Sequence, residues 1–346
     1  MKKLIIISIF VFCIVNLIVA QQKFNVQNGT KAEFYDDLET AIQKAVSGDT
    51  IYLPGHLVQV QNDLIIDKKL ALIGAGCDVD SIGGLQVTEI QKVNAGDATI
   101  NFYNGSDGSL LTGCIVGGIQ LGNKTEVNTP QSIQNITIWR NRIGAINLGA
   151  DNVSNLMNKI TISENFVYYI NGYNASNCVV NNNLVYGFYN YNGMASLLSF
   201  TNSLISNNVL GNDIMAVTDC IVENNFASGI DMYSSNSIFN NNAFQRSYTF
   251  PYVNANGSNN LVNQDPSKTF VSYYGFNSPN DMVIRSDSPC KNAGTDGTDI
   301  GIFGGSSPYK AGAVPFNPHI DKTNIAGQLD ANGNLRVNIQ VSAQTR

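Results

Sequence analysis

A short pattern of hydrophobic and polar residues recurs along the middle of the chain. An aliphatic residue is followed by two polar residues and an asparagine, and another apolar residue comes two positions later, as in "ITISENFV" at 160–167, "VVNNNLV" at 179–185 and "IVENNF" at 221–226. The alternation of apolar and polar positions before the asparagine is typical of a short β-strand with one buried face. The pattern therefore predicts repeated short strands, each ending at a bend.

The last asparagine of the motif gives the repeat its length. Six copies align at spacings of 24, 18, 25, 17 and 17 residues, on Asn141, Asn165, Asn183, Asn208, Asn225 and Asn242. Repeats of this length indicate a solenoid, and a β-helix absorbs unequal spacings because extra residues bulge out at a corner. Stacking at about 4.8 Å per rung would align the asparagines in an internal ladder, where their amides satisfy backbone groups of the bends.

The two ends of the repeat region carry different patterns. Apolar residues from Phe34 to Ala45 recur at helical spacing before Gly48, which predicts an amphipathic helix that caps the open end of the solenoid. At the other end, "RVNIQVSA" alternates as a strand, and "LDANGNLRV" predicts a hairpin with its turn near Asn332-Gly333. We therefore expect one β-helix domain at 21–310, including the cap helix, and a C-terminal β-hairpin cap or appendage at 311–346.

The first 20 residues predict an export signal. Lys2 and Lys3 precede an apolar stretch that ends at the small residue Ala20. A retained membrane anchor is the alternative, because the apolar stretch is long for a signal. Cleavage would remove two lysines and no acid, so the formal net charge of -6 would become -8. We expect an exported protein, periplasmic, outer-surface or secreted, without a membrane span after cleavage and without a nucleic-acid partner, which would require a basic face.

Composition favours turns and hydrogen-bonded ladders over helices. Only 13% of the residues are charged, whereas 47 are asparagines, and asparagine competes with its own backbone inside helices. Five widely spaced cysteines follow the predicted signal, without a CxxC pair, so buried thiols are expected. Cys178 and Cys220 fall in one inward column two rungs apart, roughly 9.6 Å, which exceeds the reach of a disulfide.

Three features carry a resemblance to a known family: "LETAIQKAVSGDTIYLPG" with "LALIGAG" after it, the asparagine-ended rungs, and "SPCKNAGTDGTDIGIFGG" at 288–305. On these features the chain resembles the pectin lyase-like right-handed parallel β-helix superfamily. The last segment is similar to one that closes the β-helix in many exported proteins of Bacteroidetes-like bacteria. The resemblance implies an all-β fold, a single-stranded right-handed parallel β-helix. It implies no single activity, because the superfamily includes lyases, hydrolases, esterases, epimerases and adhesins.

The best-known catalytic patterns of that superfamily do not occur in the sequence. The pectate-lyase pattern implies a calcium-binding cluster of acids with a basic residue, and the polygalacturonase pattern implies an aspartate pair on a strand with a Gly-His-Gly turn. The only adjacent pair here, Asp36-Asp37, falls in the predicted cap helix. The only histidines, His56 and His319, lie near the ends in other contexts. We expect no cofactor, with calcium as an open alternative.

Four tyrosines are candidates for binding carbohydrate. Tyr168 and Tyr186 each follow a ladder asparagine by three residues, and Tyr173 and Tyr191 each follow one by eight. On consecutive rungs these rings would stack on the exterior, where a flat apolar face with a polar edge suits a sugar ring. The alternative is that the rings shield a corner or pack beneath an insertion.

Two aspartates are candidates for catalysis or metal binding. Asp213 follows Asn208 by five residues, where the neighbouring rungs carry Ile170, Phe188 and Ile230, and Asp231 lies on the next rung, one position further along. Such a pair can hold calcium or divide acid and base roles, and solvated turn acids are the alternative. The sequence thus predicts an exported protein that binds a polysaccharide, a cell-surface glycan or another surface partner without catalysis. A divergent polysaccharide lyase or glycoside hydrolase is the second hypothesis.

Overall fold

The protein is all-β and is built from short strands in long parallel sheets. A computed structural model describes residues 23–78, 87–94, 96–122, 131–149, 156–190, 194–249, 254–310, 319–325 and 333–342. The predicted export signal at residues 1–20 lies outside these ranges. No helix within them is long and apolar enough to cross a membrane.

Most strands are two to six residues long. The strands of the first half are β1 Phe24–Asn28, β2 Lys31–Tyr35, β3 Thr50–Tyr52, β4 Leu57–Val60, β5 Leu64–Ile66, β6 Ala71–Ile73, β7 Thr88–Lys92, β8 Gly96–Asp97, β9 Thr99–Phe102, β10 Leu110–Thr112, β11 Cys114–Leu121, β12 Ser132–Gln134, β13 Thr137–Trp139, β14 Arg142–Asn147, β15 Leu156–Asn158 and β16 Thr161–Ser163. Those that follow are β17 Phe166–Ser176, β18 Val179–Asn181, β19 Leu184–Val185, β20 Tyr189–Asn190, β21 Met194–Thr201, β22 Leu204–Ser206, β23 Val209–Leu210, β24 Asp213–Met215, β25 Ile221–Glu223, β26 Phe226–Ala227, β27 Ser235–Asn240, β28 Ala243–Phe244, β29 Asn254–Ser258, β30 His319–Ile325 and β31 Val337–Ser342.

One sheet of twelve strands carries the predicted repeats. Its order is β2-β1-β3-β6-β10-β13-β16-β18-β22-β25-β27-β29, parallel from β3 onward. The predicted inward column is in register and buried: Ile138, Ile162, Val180, Ile205, Val222 and Phe239. The strands after each bend pair in parallel as well, for example β14 with β17 and β19 with β23. This architecture fits a parallel β-helix.

The six predicted asparagines form a buried column at the bend. Asn208 is typical: its Nδ2 donates to the carbonyls of Val180 and Ser206 at 2.8 and 3.0 Å, and to Asn225 Oδ1 at 2.9 Å. Its own Oδ1 accepts from the backbone and side-chain nitrogens of Asn183, both at 3.0 Å. The column continues to Asn260, whose Oδ1 accepts from Asn242. Each side chain therefore satisfies backbone groups that the bend removes from the sheet.

The residue before each ladder asparagine has a left-handed backbone. These residues have φ between 53° and 59°: Arg140, Glu164, Asn182, Asn207, Asn224 and Asn241. Asparagine tolerates this conformation better than most residues because its short side chain bonds locally. The conformation explains why the motif so often reads Asn-Asn.

A seven-residue helix packs on the first rungs. Helix α1, Leu38–Lys44, begins at Asp37, whose side chain accepts from the Thr40 amide, and it buries Leu38, Ala41 and Ile42 in the main core. Phe34, which the helical spacing included, instead lies exposed in strand β2. The helical pattern was therefore wrong at its first residue, because the chain forms the β1–β2 hairpin before it turns into the helix.

Residues 265–310, which we call the closing segment, cover the outer face of the strands after the bend. The segment contains helix α2, Pro266–Thr269, and a 3₁₀ helix, Pro279–Met282. It forms a second buried core with five outward side chains of the rungs: Phe166, Leu184, Val209, Phe226 and Ala243. The segment also accepts hydrogen bonds from the left-handed residues that precede the ladder asparagines, and it runs past the rungs in the opposite order to the chain. Asn241 donates to Ala293 O, Asn224 to Thr295 Oγ1 and Asn182 to Ile302 O.

The C-terminal strands β30 and β31 pair antiparallel, with Ile325 opposite Val337. Asn332, the predicted turn residue, lies outside the described ranges. The five described cysteines are free and buried, and burial raises the pKa of the Cys178 and Cys220 thiols to about 11.

Candidate functional site

An exposed aromatic patch lies on the strands that follow the ladder. Tyr168 is 38% exposed and Phe188 36% exposed, and their ring centroids are 6.4 Å apart. Tyr168 also contacts the rings of Tyr169 at 6.1 Å and Tyr186 at 5.3 Å. Gly187 makes the packing possible, because a Cβ there would lie 2.0 Å from the Tyr168 ring. The patch offers apolar ring faces with phenol edges to solvent.

The four predicted tyrosines do not form one row. Tyr186 is half-buried beneath the patch, with its ring 4.6 Å from that of Phe166, and burial raises its pKa. Tyr173 is half-buried with φ of 47°, and its amide donates to Asn171 Oδ1. Tyr191 lies outside the described residues. Of the four, only Tyr168 is exposed within the described part of the chain.

The two predicted aspartates lie close together on neighbouring strands. Ile214 pairs with Ile230, and the Asp231 amide donates to Ile214 O at 3.3 Å. Ile214, and not Asp213, takes the core position that Ile170 and Ile230 have on their rungs. Asp213 aligns with Ala195 on the opposite face of the strand, where it is 9% exposed. The reason is one extra residue on this rung, because Ile214 follows Asn208 by six residues, whereas Ile170 and Ile230 follow their ladder asparagines by five.

Each aspartate keeps one buried carboxylate oxygen without a hydrogen-bond partner. Asp213 Oδ2 accepts from Arg246 Nη1 at 2.7 Å, whereas its Oδ1 has none. Asp231 Oδ1 accepts from the Ala216 amide and from both the amide and hydroxyl of Ser234, whereas its Oδ2 has none. Buried polar atoms are rarely left unpaired in native proteins, so these two oxygens keep acceptor capacity that no described group uses.

The environment of Asp213 favours its protonated form. Burial raises the pKa of this carboxyl above its ordinary value, and Asp231 adds to the shift, while Arg246 and Ser228 oppose it. Tyr248 lies beside the site on the next rung, where its hydroxyl accepts from the amide of Ile230 and donates to the carbonyl of the same residue. The Asp213 carboxyl, whose pKa is raised, therefore lies beside the Asp231 carboxylate, of which one oxygen accepts three hydrogen bonds.

A continuous set of hydrogen bonds joins the aromatic patch to the carboxylates. Ser196 Oγ donates to Gly187 O at 2.7 Å and accepts from the Asn212 amide at 2.9 Å. The Ser228 amide donates to Asn212 O at 3.2 Å, and the Arg246 amide donates to Ser228 O at 3.2 Å. We call the surface formed by Tyr168, Phe188, Asp213, Asp231 and Arg246 the lateral site.

Sequence reasoning missed two members of the lateral site, Phe188 and Arg246, and also Tyr248 beside it. Phe188 was noted only as an apolar counterpart of Asp213, although "YGFYNY" concentrates four aromatic residues within six. Arg246 and Tyr248 reach the site only through the stacking of successive rungs, because 33 residues separate Arg246 from Asp213. A local pattern carries no signal for such a contact.

The lateral site offers few ligands for a metal. The described residues contain no group of three or more His, Cys, Asp or Glu side chains arranged to hold an ion. Asp213 Oδ1 and Asp231 Oδ2 are the two oxygens that would bind a cation, and Arg246 places a positive charge beside them. Calcium requires six to eight oxygens, so a ligand or solvent would have to supply most of the shell.

Comparisons with known proteins do not identify the chain. No protein-family model matches the sequence, and no curated protein matches it.

Proposed function

We propose that the protein is an exported member of the pectin lyase-like superfamily that binds a polysaccharide or cell-surface glycan along the lateral site. The coil is right-handed, as almost all crossovers between parallel strands are. The helix α1 caps its N-terminal end, and the C-terminal hairpin is a cap or appendage. The exported location is periplasmic, outer-surface or secreted.

The observation that carries the binding function is the exposed ring pair of Tyr168 and Phe188. Exposed aromatic rings fixed by packing contribute contact area at little entropic cost, since each has only two side-chain torsions. The Tyr168 ring packs directly on the backbone of Gly187, which restricts its movement. The carboxyl groups of Asp213 and Asp231, two and three rungs beyond Tyr168, offer acceptors for sugar hydroxyls. An extended chain lying along the solenoid axis would contact both features.

A neutral glycan is the favoured ligand. The chain is acidic, with a formal charge of -6, and Asp213 and Asp231 would repel an anionic polymer unless a cation such as calcium bridged them. Hydroxyl groups, in contrast, donate to carboxylate oxygens without a charge penalty.

Affinity electrophoresis against a panel of neutral and acidic polysaccharides, with and without calcium, tests the proposal. The wild-type protein should be retarded by at least one neutral polymer, and Tyr168→Ala/Phe188→Ala should lose most of that retardation. Phe34→Ala is the matched control, because Phe34 is an exposed ring on strand β2, far from the lateral site. Unchanged retardation of the double variant, or none for the wild type on any polymer, would contradict the assignment.

A second candidate function is cleavage of a polysaccharide at the carboxylates. The observation that favours it is the raised pKa of Asp213 beside Asp231, since a pair with unequal environments divides acid and base roles. In this function Asp213 Oδ1 donates its proton to the glycosidic oxygen that leaves, and Asp231 Oδ2 accepts a proton from the attacking water or, in an elimination, from the sugar carbon.

Product analysis separates the two functions. Cleavage predicts new reducing ends or unsaturated products with the wild type, lost in Asp213→Asn and Asp231→Asn while glycan retention persists. Retention without products from any polymer would leave binding alone.

A further inference from the structure

A second exposed apolar patch lies next to the carboxyl group of Asp231. Met232 is 64% exposed and Tyr233 56% exposed, and the two residues form the tip of a turn at 231–234, which we call the Asp231 turn. Exposed apolar residues that occur singly need no partner, whereas grouped ones beside polar residues mark binding surfaces. The patch adjoins the lateral site, because Asp231 belongs to both.

One additional residue explains why the tip is exposed. The rung that carries the turn pairs with the rung before it at two positions, Ile230 with Ile214 and Ser235 with Thr218. Four residues lie between these positions on the rung of the turn, and three lie between them on the earlier rung. A residue in excess of the partner strand disrupts the ladder locally, and the longer strand bends. On the earlier rung the shorter stretch keeps Met215 only 4% exposed.

Hydrogen bonds to Asp231 order the turn. Asp231 Oδ1 accepts from the amide of Ser234 at 3.1 Å and from its hydroxyl at 2.8 Å, which closes the turn. The same oxygen accepts from the Ala216 amide at 3.0 Å, which ties the turn to the earlier rung. A side chain that an ordered backbone presents loses less conformational entropy when it binds. The free acceptor Asp231 Oδ2 lies at the base of this turn.

We infer that the lateral site continues onto the tip of the Asp231 turn, where Tyr233 provides a second aromatic contact for the glycan. The inference rests on the proposed function. Tyr168 follows Asn165 and Tyr233 follows Asn225, so the two rings lie three rungs apart, about 14 Å along the axis. Asp213 lies on the rung before Tyr233, between the two aromatic contacts.

Two separated aromatic contacts select for the length of the glycan. A short oligomer reaches the ring of Tyr168 or that of Tyr233, whereas a longer chain reaches both, and the second contact is then intramolecular. The sequence has no charged residue between Asp231 and Arg246. The tip therefore adds apolar ring contact and a phenol edge without favouring an ionic ligand, which fits a neutral polymer.

Binding of oligosaccharides of graded length tests the inference. The probes are oligomers, from the disaccharide upward, of the neutral polysaccharide that retards the wild type, and calorimetric titration gives their dissociation constants. Tyr233→Ala should bind the longest oligomers several-fold more weakly and the shortest binding oligomers as the wild type does. Tyr233→Phe should keep most of the affinity, because it keeps the ring. Phe34→Ala, which removes an exposed ring on strand β2, should match the wild type at every length.

Two outcomes of this titration would overturn the inference. Equal affinity of the wild type and Tyr233→Ala for the longest oligomers would show that the ring makes no contact. An equal loss at every length would show that Tyr233 does not extend the site. The circular dichroism spectrum and melting temperature of Tyr233→Ala should remain those of the wild type, because the ring is exposed.

Hydroxyl-radical footprinting of the wild type gives an independent measurement without variants. The polymer should protect Met232 and Tyr233 several-fold, together with Tyr168, and should leave Phe34 unprotected. Protection of Tyr168 alone would overturn the extension and leave the proposed function standing. Absence of protection at all of these residues, with no retardation by any polymer, would overturn the proposed function and the extension with it.

Discussion

Glu164 Oε2 accepts a hydrogen bond from Arg140 Nε at 2.9 Å, and both side chains are only 3% exposed. Both residues have the left-handed backbone that asparagine adopts on the four following rungs. Glu164 also accepts from Trp139 Nε1 at 2.9 Å and from the Lys310 amide. The ion pair therefore fastens the end of the closing segment to the earlier rungs.

Removing the charge of Glu164 should destabilise the protein. Glu164→Gln keeps the shape of the side chain but removes the negative charge that pairs with the buried guanidinium of Arg140, at a cost of about 3 kcal/mol. The free energy of unfolding in guanidinium chloride measures the loss. Asp287→Asn is the control, because it breaks an exposed pair with Arg285, and such pairs contribute only about 0 to 1 kcal/mol. Equal losses in the two variants would show that the Arg140 charge is not buried in solution.

Shortening one ladder asparagine should also cost stability. Asn208→Ala deletes the partner of two Asn183 nitrogens and leaves buried backbone groups unpaired, which costs about 1 to 3 kcal/mol. Asn256→Ala, at an exposed position on strand β29, should change the unfolding free energy by less than about 0.5 kcal/mol. If both variants have the unfolding free energy of the wild type, the hydrogen bonds of the ladder do not contribute to stability.

The repeat was predictable because its cause is local. A strand with one buried face, a bend and an inward asparagine all lie within about eight residues, so their pattern is visible in the sequence. The same pattern in "GSNNLV" marks Asn260 as a further ladder member, which the alignment of six copies did not include. The helix α1 likewise follows from its spacing and from Asp37 at its start.

The candidate site was less predictable because its contacts are not local. The position of Asp213 depends on one extra residue between Asn208 and the core position Ile214, which moves Asp213 out of the column that spacing assigned. The choice of Tyr168 over Tyr186 as the exposed ring depends on Phe166 and on the closing segment packed over the second core. Neither effect can be read from distances along the chain.

Filling the space beneath the Tyr168 ring should weaken glycan retention. The Cβ of Gly187→Ala would lie 2.0 Å from Tyr168 Cδ2, so the ring must leave its present position. We expect several-fold weaker retention in affinity electrophoresis, together with a native circular dichroism spectrum. Gly118→Ala is the control, since its nearest neighbour would lie at an ordinary 3.4 Å. Equal retention by both variants would remove Tyr168 from the binding surface.

The buried carboxyl of Asp213 should make stability depend on pH in a defined direction. Burial raises its pKa above the ordinary 3.8, so the folded protein holds this proton more tightly than the unfolded chain does between the two values. Stability linked to that proton is present at acid pH and is lost as the pH rises through the raised pKa. Unfolding free energies of wild type and Asp213→Asn should therefore differ more in favour of the wild type at about pH 4 than at pH 7.

Asp287→Asn should show the opposite trend, because the Arg285 guanidinium holds the pKa of Asp287 below its ordinary value, and acidification removes the benefit of that charge. The same trend in both variants, or a reversed one for Asp213→Asn, would mean that the pKa of Asp213 is not raised in the folded protein. Asp213 would then no longer be the candidate proton donor of the lateral site.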